Sequence, residues 1–125
     1  MKLTPVLIVE EIEKSLPFWV GRMGFEKTVD VPDGDRLGFA ILTREGAEVM
    51  FQTVESVRKD VPKFAPEGVP SVTSLFIEVE DFEDVRRRLA GYDIALEERT
   101  TFYGMREIGV VEPSGHIVMF ASRAA

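Results

Sequence analysis

The chain has no cysteine, which excludes disulfides, thiol nucleophiles and thiolate metal sites. It has a single histidine, His116, too few for a metal site built from several imidazoles. No stretch approaches the ~20 consecutive apolar residues that a membrane-spanning helix needs. Basic residues are also in deficit, 15 against 22 acidic for a net charge of −7. That deficit disfavours nucleic acid, whose binding rests on Lys and Arg at phosphates. The one basic run, Arg86-Arg87-Arg88, falls in a helical stretch and reads as a solvated helix face. Met1 to Pro5 enters a strand pattern at once, without the layout of a signal peptide. A cytoplasmic location is expected.

What the chain does contain is a repeat. Gly46, Val49, Met50 and Phe51 recur as Gly115, Val118, Met119 and Phe120, at an offset of 69. Val9, Glu10, Glu11 and Glu13 recur as Val79, Glu80, Asp81 and Glu83, at an offset of 70. Two matches at almost one offset indicate a duplicated module. At 125 residues, 45% of them hydrophobic, the chain is long enough for one compact domain.

Within the first module, Leu3–Val9 is apolar and β-branched, a strand signal, and Glu11–Met23 carries Ile12, Leu16, Trp19 and Val20 at helical spacing. Pro17 predicts a kink or a late start in that helix, and Gly24 its stop. Strands are expected at 25–31, 37–43 and 48–52, the first two joined by Pro32-Asp33-Gly34-Asp35. Residues 53–70, with Pro62, Pro66 and Pro70, read as a connector that includes a short helix from Val54 to Phe64, and as a candidate flap. The second module repeats the pattern, with strands at 72–79, 94–99, 105–111 and 116–122 and a helix at 82–89. The reading is an α+β domain over residues 1–125: two βαβββ modules, 1–52 and 72–125, joined by a 53–71 connector. Eight strands are expected to curl into a half-open barrel around a groove, with the helices outside.

Val6 to Ile12, Ser15 to Trp19 and Met23-Gly24-Phe25, together with Tyr103 to Glu107 and Glu112 to Gly115, resemble the opening and closing phrases of the vicinal oxygen chelate superfamily. This is the glyoxalase, bleomycin-resistance and extradiol-dioxygenase group. In its metal-using members, side chains on the first and last strands of each module hold a divalent ion. Carried over by these phrases, the resemblance puts the ligand positions at Pro5, at Ser74 or its neighbour Thr73, and at Met50 and Met119. Proline offers no ligand and a thioether is soft and neutral, so hard or borderline ions seldom choose this set. Neither a metal, a cofactor nor a catalytic residue is therefore expected.

The residues expected to line a softer, more apolar groove are Phe39, Met50, Gln52, Ser74, Phe76, Phe102, Tyr103 and Met119. Methionine adapts to varied shapes, and aromatic rings stack on flat or cationic ligands. The expected function is metal-free sequestration of an aromatic or cationic small molecule, similar to that of bleomycin-resistance proteins. The alternatives are a metal-dependent lyase or dioxygenase with displaced ligands, and an assembly module whose groove is filled. The resemblance also implies a homodimer. His116 reads as a turn or strand-edge residue, and Arg106-Glu107 as an ion pair across strands. The acids at 10–13 and 80–84 read as helix-start residues.

Overall fold

The computed structural model describes residues 1–63, 67–68 and 72–124. It divides into two compact units, Met1–Ser71 and Val72–Ala125. The first contains β1 (Val6–Val9), a π-helix (Pro17–Arg22), β2 (Glu26–Asp33), β3 (Arg36–Arg44), β4 (Ala47–Thr53) and α1 (Val54–Asp60). The second contains β5 (Ser74–Glu78), α2 (Phe82–Arg88), β6 (Asp93–Thr100), β7 (Met105–Val111) and β8 (Ile117–Arg123). Each unit builds a four-stranded sheet, in the orders β1-β4-β3-β2 and β5-β8-β7-β6. In both, the first strand pairs parallel with the last and the other pairs are antiparallel. The fold is α+β, with one strand–helix–three-strand unit in each half.

In the first unit, alternation along the strands turns Leu7, Val9, Ala40, Leu42, Val49 and Phe51 to one face, where all are buried. The same core holds Ile12, Phe18, Trp19, Met23 and Phe25. Trp19 makes edge-on ring contacts with Phe18 at 5.5 Å, Phe25 at 5.1 Å and Phe51 at 5.8 Å, a favoured arrangement for aromatic quadrupoles. The predicted helix over 11–23 is shorter than its periodicity suggests. It begins at Pro17, whose missing N–H is harmless in a first turn. It is wound wide, with Met23 N–H donating to Phe18 O at 2.9 Å. Glu13 does not serve that helix start; its Oε2 accepts from Leu37 N–H at 2.7 Å and ties this segment to the start of β3. Gly24, at φ +74°, supplies the left-handed stop.

Thr53 caps α1 by accepting from Ser56 N–H at 3.1 Å. This helix ends at Asp60, short of the expected Phe64, which lies outside the described residues together with Pro66 and Pro70. In the second unit, Val110, Val118 and Phe120 face the side where α2 places Phe82, Val85 and Leu89, all buried. Asp81 caps α2, accepting from Asp84 N–H at 3.0 Å. The arginine run is engaged within this unit: Arg86 pairs with Glu83 and Glu98, and Arg87 and Arg88 pair with Asp84. Two of the outer strands, β2 and β6, are each interrupted by two register shifts.

Arg106 and Glu107 do not pair with each other, because neighbours on a strand point to opposite faces. Arg106 turns to the helix side, 4.4 Å from the Phe82 ring centroid, and bonds Glu83 at 2.9 Å and Glu98 at 3.1 Å. The Arg106 hydrogen bond, then that of Arg86, holds the Glu83 carboxyl below the usual glutamate range, against a smaller desolvation effect. A carboxylate depressed in the folded state adds stability above its unfolded pKa, and that stability is lost as pH falls through the folded value. Glu83→Gln is therefore expected to lower the melting temperature at neutral pH. The variant and parent curves should converge as acid protonates Glu83 in the parent. A constant gap down to the most acidic point measured would contradict this.

Candidate functional site

The register places the predicted residues in rows across each sheet, on the face opposite the aliphatic core. In the first unit, Val6, Met50, Ile41 and Val29 form one row, and Ile8, Gln52, Phe39 and Val31 the next. In the second unit, the matching rows are Phe76, Met119, Gly109 and Leu96, then Glu78, Ala121, Glu107 and Arg99. A further row there joins Ser74, Ile117, Val111 and Asp93. These faces are accessible in part: Phe39, Met50, Gln52 and Met119 are half-buried, Ser74 is exposed and Phe76 remains 57% exposed, while Glu107, Gly109 and Ala121 are buried. Phe102 and Tyr103 sit at the β6–β7 turn, with rings in an edge-on contact at 5.0 Å.

The centre of the second unit's face is shaped by Gly109. A Cβ built there would lie 2.5 Å from Met119 Sδ and 3.2 Å from Leu96 Cβ, so the thioether lies across the glycine. Gln52 is less available than its position suggests, since its Nε2 donates to Ser56 Oγ at 3.1 Å. A depression of about 390 Å³ bordered by Phe82, Glu83, Arg106, Ser122 and Arg123 lies near the start of α2 and includes none of the predicted binding residues.

The paired registers also correct the first-strand position. Val6 opposes Met50 just as Phe76 opposes Met119. The counterpart of Ser74 is therefore Thr4, two residues before Val6; Pro5 has the parity of Leu7, whose side chain is in the core. The donor set becomes a hydroxyl and a thioether in each unit, Thr4 with Met50 and Ser74 with Met119. This set does not fit a divalent ion, which asks for carboxylate or imidazole. Glu48, two residues from Met50, is already engaged. It accepts from Lys2 Nζ at 2.8 Å and Thr4 Oγ1 at 3.2 Å, and the Lys2 bond chiefly holds its carboxyl below the usual range. Among the described residues, no group of three or more His, Asp and Glu is placed to hold a metal.

One charged group on the open face escaped the sequence reading of the binding surface. Glu107 accepts from Arg99 Nε at 3.1 Å and Tyr103 Oη at 3.3 Å. Its side chain is only 3% exposed while that of Arg99 is 55% exposed. The alternation Met105, Glu107, Gly109 along β7 carried the signal, since Gly109 opposes Met119. His116, by contrast, is buried and structural. Its Nδ1 accepts from Thr73 N–H at 2.9 Å and fastens the entry to β5.

A family model described as the glyoxalase/bleomycin resistance protein/dioxygenase superfamily matches residues 3–120. The chain belongs to this superfamily. Solved members of the fold are similar throughout. The crystal structure of TioX from Micromonospora sp. ML1 is 19% identical with a TM-score of 0.78, and the match covers 98% of either chain. A glyoxalase/bleomycin resistance protein/dioxygenase from Nocardioides is 18% identical with a TM-score of 0.75, over 99% of this chain and 84% of that one. The bleomycin-binding protein from bleomycin-producing Streptomyces verticillus, complexed with copper(II)-bleomycin, is 24% identical with a TM-score of 0.64, over 100% of this chain and 96% of that one. No curated protein matches by sequence. The superfamily is thus fixed for this chain, while its members' chemistry varies with the site each carries.

Proposed function

We propose that this member of the superfamily is a cytoplasmic, homodimeric small-molecule binding protein that sequesters an aromatic or cationic ligand without metal catalysis. One observation carries the reading. The open sheet faces centre on the thioethers of Met50 and Met119 with accessible Phe39 and Phe76 beside them. Such a surface suits adaptable apolar contact and suits Lewis-acid chemistry poorly. The bleomycin-binding protein of the same fold supports binding as the activity.

Calorimetric titration with copper(II)-bleomycin and a panel of flat aromatic cations is the direct test, run with metal analysis of protein purified without chelator. Saturable binding by at least one compound is expected, with no stoichiometric metal. A silent panel would remove the reading. A stoichiometric divalent ion would replace it with a metal-dependent lyase or dioxygenase.

A further inference from the structure

We propose that Glu107 is the recognition point for a positively charged group on the ligand, and that Arg99 is an internal stand-in which that group displaces. The inference rests on the binding function above and names the chemical class of the ligand: a flat aromatic bearing an ammonium, amidinium or guanidinium group.

A carboxylate removed from water must stay paired with a cation or fully hydrogen-bonded. Glu107 has little contact with solvent, yet its cation comes from a side chain more than half exposed. That cation also sits on β6, whose register with β7 breaks between Leu96 and Arg99. The pairing geometry is incomplete. Arg99 Nε and Nη2 both approach Oε1, each at 3.1 Å, whereas a fork-to-fork pair would use both oxygens. Among the described residues, Oε2 receives only the Tyr103 hydroxyl, at 3.3 Å. A carboxylate offers about four lone-pair sites, so Glu107 retains acceptor capacity.

The surroundings match the same ligand. One row along the face, about two residues' rise away or roughly 7 Å, Phe76, Met119 and Gly109 offer an apolar floor. Glu78, exposed and in the row of Glu107, adds negative potential at the approach. A ligand cation that replaces the Arg99 guanidinium keeps Glu107 paired and returns Arg99 to water. A neutral ligand cannot make this exchange without leaving the carboxylate unpaired. Charge selectivity follows from that asymmetry.

Two probes share one ring system: 9-aminoacridine, a cation at neutral pH, and acridine, neutral there. Fluorescence titration of the full chain is expected to show 9-aminoacridine binding about tenfold or more tightly. In Glu107→Gln the ratio should fall to about one, through loss of 9-aminoacridine affinity. In Arg99→Ala the affinity for 9-aminoacridine should rise about tenfold, because the competitor is gone. A merely structural pair would lower the melting temperature in both variants and leave the ratio where it was, which would overturn the inference. Should Glu107→Gln fail to fold, the sign of the Arg99→Ala effect still decides. Equal binding of both probes by the parent, or binding of neither, would also overturn it. The broader binding function falls only if the bleomycin and cation panel is silent too.

Discussion

Trp19→Ala is expected to destabilise the protein by about 3–5 kcal/mol, as truncation of a large buried aromatic does. Trp19 is 0% exposed and touches three other rings, one in the π-helix, one just before β2 and one in β4. Removing the indole takes away contacts to the sheet and to both neighbouring segments. Against a total of about 5–15 kcal/mol for a domain, such a loss brings the chain near its unfolding threshold. Urea unfolding followed by circular dichroism measures it as a drop in midpoint. Phe102→Ala is the control: the ring is fully exposed, and a change within about 0.5 kcal/mol is expected. Comparable losses in the two variants would show that the packing described around Trp19 does not hold the first unit together.

Glu112→Ala is expected to cost about 2–4 kcal/mol, through donors left without an acceptor. The buried Glu112 carboxylate collects Ser114 N–H at 2.9 Å, the Ser114 hydroxyl and His116 N–H at 3.2 Å. The turn it closes presents His116 to Thr73, so one side chain organises the entries to β8 and β5 together. Glu112→Gln keeps an acceptor oxygen and should lose less than half as much. Amide hydrogen exchange supplies a local readout: Thr73 should lose protection in Glu112→Ala, while amides of β3 and β4 keep theirs. Unchanged exchange at Thr73 would contradict this account of the turn.

The strands and their succession along the chain in each half were legible because their signals are local. Apolar alternation sets them, and Pro or Gly marks their ends. The repeated Gly–Val–Met–Phe phrase marked β4 and β8 as counterparts, and the register agrees. The helix over 11–23 was over-read because Ile12 and Leu16 have helical spacing while Glu13 has a partner far away, Leu37 N–H, which no local pattern announces. Pro5 lies one residue away from the position facing Met50's side of the sheet, which the sequence conceals for a similar reason. Two strands decide such a parity jointly, and it becomes visible only when Val6 is seen opposite Met50. The sequence marks Glu107 as half of an ion pair, but its place on this face depends on pairing with β6 and β8. Long-range pairing is what one strand's sequence says least about.

The register shifts in β2 and β6 have a bearing on how this protein survives at high concentration. An outermost strand with unused amides invites a foreign chain to add on, the first step toward cross-β fibrils. Here the borders formed by β2 and β6 are each broken twice and carry Glu26, Asp30 and Pro32, or Asp93, Glu97 and Glu98. A recruited segment could follow either border for only a few residues before losing alignment and meeting like charge.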